Sequence, residues 1–213
     1  MATSSKNQRH PEIARIGRSA HKAFGQRDKF REGAYYSSRE TIRFSATAIR
    51  AVHRHEMAEG RKLVAQAGEA VHNQRELLKK QPGLYNAGFV QDAQKEFAEA
   101  SCLVAIIAGE PVPTPEQLKV EYAPFLNGIG ETVGELRRYV LDSLRRDDFS
   151  RCEELMEAMD EVYNMLVTID YPDAITGGLR RTTDMVRGVL ERTRGDLTLT
   201  LRQRALEQRL ANL

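Results

Sequence analysis

Residues 89–108 read FVQDAQKEFAEASCLVAIIA, with no proline, no glycine and no strand-like alternation. The pattern predicts a helix over roughly 86–108. At about 100° per residue, Phe89, Ala93, Ala100, Leu103 and Ile107 fall on one side. Glu96 lies within about 20° of Phe89, Leu103 and Ile107, inside that stripe, and Glu99 sits at its edge. A carboxylate on a core-facing stripe is costly to bury unless it is paired, hydrogen-bonded or bound to a metal. The i, i+3 spacing turns both acids toward one place. The plainer alternative is that Glu96 reaches solvent or meets an arginine.

Outward from this helix, the chain keeps the same character. Residues 12–81 carry helix formers almost continuously, broken only by isolated glycines, until Gln81-Pro82-Gly83 imposes a stop and a turn. Gly109-Glu110-Pro111-Val112-Pro113 is a short stiff linker. Thr114-Pro115-Glu116-Gln117 is a helix start with a capping threonine, proline at the first position and glutamine closing the box. Further helices are expected over about 122–146, from Phe149 to about Ile169, and as one helix or a pair over 176–211. The fold class is therefore all-α, a bundle of about six or seven helices. Residues 1–10 are expected to form a flexible tail and residues 11–213 a single domain.

Apolar residues make up 41% of the 213 and charged residues 29%, the balance of a folded globule. No apolar run reaches membrane-spanning length, and the N-terminus lacks a signal core, so a cytoplasmic location is expected. Cys102 and Cys152 lack metal-type spacing and read as core residues of a reducing compartment. The net charge of +2 is uneven: residues 174–213 hold eight arginines against four acids. Such a segment permits nucleic-acid binding without requiring it.

Two more patterns carry chemistry. In Gly128-Ile129-Gly130-Glu131-Thr132-Val133-Gly134-Glu135, the apolar face is formed by Phe125, Ile129, Val133, Leu136, Val140 and Leu144. Glu131, Glu135, Arg138 and Asp142 line the opposite one, where an ordinary solvated face with ion pairs is the simplest account. Three glycines within one helix each cost about 1 kcal/mol against alanine, which close approach of another helix or a ligand would explain. If Glu131 and Glu135 face Glu96 and Glu99, four carboxylates converge on an oxygen-rich site suited to Mg2+ or Mn2+. The other pattern is basic. Arg39, Arg43, Arg50 and Arg54 stay within roughly 60° on a straight helix, and His53 borders them. Such a row suits phosphates, although it is also compatible with a solvated face.

Together these segments, from about residue 27 to 205, resemble the translin and translin-associated factor X family. Ser38-Arg39-Glu40 with His53-Arg54 looks like the first long helix of factor X. Glu96-Phe97-Ala98-Glu99-Ala100 is similar to the family's E-x-x-E-A segment. Glu131-Thr132-Val133-Gly134-Glu135-Leu136 resembles its D-x-x-G-E-L segment, with Glu131 where the family has aspartate. Asp148-Phe149-Ser150-Arg151 is close to the G-D-Y-S-R segment of translin. The resemblance implies a protomer of about seven helices that assembles into a hollow, roughly octameric shell. It also implies binding of single-stranded RNA and DNA, and Mg2+-dependent endoribonuclease activity with Glu96, Glu99, Glu131 and Glu135 as catalytic, metal-holding acids. The short linker at 109–113 suits a microbial, archaeal-type version that forms a homo-oligomer. A non-catalytic translin-like shell that holds nucleic acid is the alternative.

Overall fold

The computed structural model describes residues 10–211, so the expected tail lies, apart from His10, outside the described residues. Among the described residues there are nine helices and no strand. These are α1 (Pro11–His53), α2 (Met57–Leu78), α3 (Pro82–Tyr85), α4 (Gly88–Ala108), α5 (Pro115–Leu118), α6 (Tyr122–Leu144), α7 (Cys152–Val167), α8 (Asp173–Thr176) and α9 (Leu179–Ala211). Three of them, α3, α5 and α8, are four-residue turns, which leaves the six long helices of the expected bundle. No helix among the described residues is long and apolar enough to cross a membrane.

The almost continuous run of helix formers over residues 12–81 folds as two helices, parted at Arg54–Glu56. The break is a left-handed cap on a residue that carries a side chain. His55 has φ +61°, and the Glu56 amide reaches back to the Ala51 carbonyl at 2.9 Å. This six-to-one bond satisfies a carbonyl that the helix end would leave unpaired. Gly109, Lys119 and Asp147 close α4, α5 and α6 in the same way. Glycine marks one of these four stops in the sequence; the other three carry no such punctuation. The Thr114 capping box forms as read, with Gln117 N donating to Thr114 Oγ1 at 3.3 Å and Thr114 N to Gln117 Oε1 at 2.8 Å, but its helix stops after a single turn.

The helix quoted first is the centre of the bundle. It packs against α1, α2, α6 and α7, and Phe97 to Ile107 are buried without interruption. Cys102 and Cys152 are unpaired and buried in this core, as expected. The α6 face read from the sequence is also correct: Phe125, Ile129, Val133, Leu136 and Val140 are buried, with Leu144 packed at the margin. Arg137 ties α6 to α9 by donating to Thr193 Oγ1 and Asp196 Oδ2, and Arg194 ties α9 to α7 through Asp160. Two long helices outrun this core. On α1 the first buried residue is Ala34, so Ile13, Ile16 and Phe24 are exposed, and on α9 Leu199, Leu206 and Leu210 are exposed beyond the last buried residue, Leu197.

Candidate metal centre

Two of the three α6 glycines explain how α6 meets its neighbours. A Cβ built on Gly128 would lie 2.4 Å from the Lys95 carbonyl oxygen, 2.9 Å from Ala98 Cβ and 3.0 Å from the Glu99 nitrogen. Hydrogen is thus the only side chain that lets α6 lie against the backbone of α4 at this level. Gly130 does the same for α9 and α7, with a Cβ 2.5 Å from Thr182 Cγ2 and 3.3 Å from Leu166 Cδ1. Around Gly134 there is open space, and close packing gives no reason for that glycine. Thr132 seals the contact by donating to the Glu99 carbonyl at 3.2 Å.

This crossing brings acids from the two helices together. Carboxylate oxygens of Glu96, Glu99 and Glu131 all lie within 4.8 Å of one another. Glu99 is the deep member, at 8% exposure, while Glu96 and Glu131 are half-buried at the rim. The sequence reading had placed Glu96 in the buried stripe and Glu99 at its edge. That order is reversed because α4 is surrounded, so a one-sided apolar stripe does not describe its environment.

Three acids so close cannot all ionise freely. Burial, reinforced by the neighbouring carboxylates Glu96, Glu131 and Glu135, pushes the Glu99 carboxyl up to about 8. Burial also raises Glu96, against the pull of Lys95. Lys95 is a member of the site that the sequence reading missed. Its ammonium lies 2.8 Å from Glu131 and 3.8 Å from Glu96, and these acids outweigh desolvation to hold it protonated. The signal that could have found it is position: Lys95 lies four residues before Glu99 and so within about 40° of it on the helix.

Glu135, expected as a fourth ligand, has another partner. Its Oε2 lies 2.5 Å from His53 Nε2, and this hydrogen bond holds the Glu135 carboxyl below its ordinary range. An ionised carboxylate only accepts, so Nε2 carries the proton. The placement of His53 differs from that of the arginines it borders in sequence. Its side chain is 4% exposed and turned toward α6, away from the arginines it was expected to join. Glu135 stays close enough to act electrostatically on Glu99 but stands outside the trio.

The arginines themselves are exposed, Arg39, Arg43 and Arg50 on α1 and Arg54 just past its end. Arg43 lies 3.4 Å from Glu40 and over the Phe44 ring, and Arg54 binds Glu56 at 2.6 Å. Arg50 donates to Thr47 at 2.8 Å. Two of the four are therefore already paired with acids.

The residues of the trio fit a hard divalent cation. Their donors are carboxylate oxygens from two helices, as such ions prefer. When all three are ionised, one ammonium leaves two negative charges unbalanced, the charge of one such ion. A pH dependence follows. The folded chain holds the Glu99 proton up to about 8, whereas the unfolded chain releases it in the ordinary carboxylate range. The unfolded state then binds fewer protons between those values, and stability falls as pH rises through that window. In EDTA, the melting temperature should drop from pH 5 to pH 8.5, and Mg2+ should restore it at the higher pH. A melt that is flat with pH and indifferent to Mg2+ would contradict this charge arrangement.

No family model matches the chain. An uncharacterised protein of Methanocaldococcus jannaschii is 29% identical over 189 residues, which cover 86% of this chain and 82% of that protein. The crystal structure of AfC3PO is 31% identical with a TM-score of 0.82, covering 88% of this chain and 98% of that one. AfC3PO solved in complex with duplex RNA is 30% identical with a TM-score of 0.83, covering 88% and 97%. With a shared fold along nearly the whole of those chains and identity at this level, the protein belongs to the translin family, as an archaeal-type homologue.

Proposed function

We propose that the protein is a divalent-cation-dependent endoribonuclease that binds single-stranded RNA and cuts it beside the α4–α6 crossing. The observation that carries this reading is the trio of Glu96, Glu99 and Glu131, converging from two helices with a net charge that one Mg2+ or Mn2+ balances. RNA as the ligand is supported by the relative solved with duplex RNA and by the exposed arginines of α1. DNA of single-stranded form offers the same phosphates to those arginines.

Glu99, on the buried side, and Glu96 and Glu131, at the rim, are the residues that would hold the cation. A divalent ion bound there would supply Lewis acidity toward a phosphodiester and offset the charge that develops on it. Lys95 offsets part of the acid charge and, standing at the rim, faces an incoming phosphate. His53 fixes Glu135 in its ionised form next to the trio, a positioning role. Arg39 and Arg50, which have no acid partner within ion-pair distance among the described residues, are the strand-holding arginines. The exposed apolar ends of α1 and α9 support a homo-oligomer, an octamer by family resemblance, in which a second copy covers them. Free buried cysteines suit a cytoplasmic protein.

One observation favours a second reading. Lys95 already pairs with Glu131, as an ammonium would in a shell that holds nucleic acid without cutting it. Incubation with labelled single-stranded RNA, in Mg2+ and in EDTA, separates the two. The ribonuclease gives fragments only with Mg2+ and none from Glu96→Gln. RNA that stays bound and intact after prolonged incubation with Mg2+ leaves the shell.

A further inference from the structure

A cavity of about 770 Å3 opens against the rim of the trio and shares Lys95 and Glu131 with it. It runs from there to the turn between α8 and α9. Its volume falls within the range of sites that hold small organic ligands, roughly 300–1,000 Å3. One part of its wall is apolar, with Pro124, Ile175 and Met185, and Arg181 on the first turn of α9 lines it as well.

The α9 side of the cavity is fixed in place. Asn127 on α6 donates to the Thr176 carbonyl at 2.8 Å, and its Oδ1 accepts from Thr182 Oγ1 at 2.6 Å. Thr182 also lies on Gly130, one residue before Glu131. The first turn of α9 is therefore held in register with the acid that lines both spaces. Gly177 and Gly178 have φ of +63° and +86°, and no atom lies within 4 Å of a Cβ built on Gly178. The turn thus keeps side chains out of the opening. Arg181 is exposed and has no carboxylate within 4 Å among the described residues. The negative groups of the wall are Asp92 and Glu131, both toward the Lys95 end. An anion entering at Arg181 meets a free guanidinium, while a flat apolar group finds Ile175 and Met185.

We propose that this cavity is a nucleotide subsite, which takes one unstacked nucleotide next to the cleaved bond of a single-stranded RNA and holds its phosphate on Arg181. It rests on the ribonuclease reading for the identity of the strand. Single strands can turn a base out of the stack at low cost, which a paired strand cannot, so the subsite selects single-stranded substrate.

The test is binding of a fluorescent oligouridylate in EDTA, where no cleavage occurs, followed by cleavage kinetics in Mg2+. Arg181→Ala is expected to weaken metal-free binding about 10-fold at low salt, as loss of a charge-assisted phosphate contact does. The slope of log Kd against log salt should fall by about 0.7. In Mg2+ the same variant should raise KM with little change in kcat. Arg181→Lys should recover part of the loss. Arg180→Ala, an exposed neighbour that does not line the cavity, should stay within about twofold. Ala174→Trp, placed on the cavity wall in the exposed α8 turn, should weaken binding by filling the space.

Equal effects of Arg180→Ala and Arg181→Ala would show diffuse attraction and overturn the subsite. So would wild-type binding by Arg181→Ala, and the ribonuclease would then stand if Mg2+ still gave cleavage. Binding that depends on Arg181 in a protein that never cuts would keep the subsite and remove the ribonuclease. Absence of RNA binding by the wild type would remove both.

Discussion

Glu99→Gln is expected to abolish Mg2+-dependent cleavage, by about 10³-fold or more, while RNA binding in EDTA stays within about twofold. The carboxylate it removes is the deep member of the trio and is 8% exposed, so a strand at the surface does not touch it. Glutamine keeps the volume and one carbonyl oxygen but cannot carry the charge that a divalent ion needs. The same change acts on stability in the opposite direction. Burial holds the Glu99 proton up to about 8, so in EDTA at pH 8.5 the ionised side chain is a liability that glutamine lacks. The variant should therefore melt higher than the wild type under those conditions, by roughly 5 °C. Mg2+ should raise the melting temperature of the wild type and not that of the variant. Cleavage at wild-type rate by Glu99→Gln would end the assignment of the trio as the catalytic centre.

Gly128→Ala is the second large effect. The new methyl would meet the Lys95 carbonyl oxygen at 2.4 Å and the Glu99 nitrogen at 3.0 Å, backbone atoms that cannot swing aside. Helix α6 must then lift from α4, at a cost of about 2–3 kcal/mol, or roughly 5–10 °C in melting temperature. The lift falls directly beneath the acids, so it also draws Glu131 away from Glu96 and Glu99. Cleavage measured well below the melting point should fall by about 10-fold or more, since small misplacements at a catalytic site are costly. Gly134→Ala is the control. It lies on the same helix with open space around its Cβ, so it should stabilise by about 0.5–1 kcal/mol through helix propensity. Similar melting curves for the two variants would overturn the close α4–α6 contact at Gly128.

How much of this was legible in the sequence depends on whether the signal was periodic. The all-α class, the E-x-x-E pair and the α6 face are periodic features, and all were readable. The stop after His53 was not, because a left-handed cap on histidine leaves no glycine or proline to mark it. The relative depth of Glu96 and Glu99 was misread for a related reason. One helix gives the direction of a side chain, but burial depends on how many neighbours surround that helix. The positions of Lys95 and His53 were likewise set by pairing across helices, between residues 95 and 131 and between residues 53 and 135. His53 looked like a neighbour of the arginine row because it falls about 40° from Arg39 on a straight helix, while its ring pairs with Glu135 on a different helix.

Glu96, Glu99 and Glu131 all stand in helix interiors, several residues from the nearest helix end. The geometry of the centre is consequently inherited from helix packing, and substrate binding cannot assemble it by folding a loop over the strand. On the ribonuclease reading, a centre preformed in this way is ready to cut at all times. On that reading its restraint comes from controlling which strands reach the rim formed by Lys95, Glu96 and Glu131.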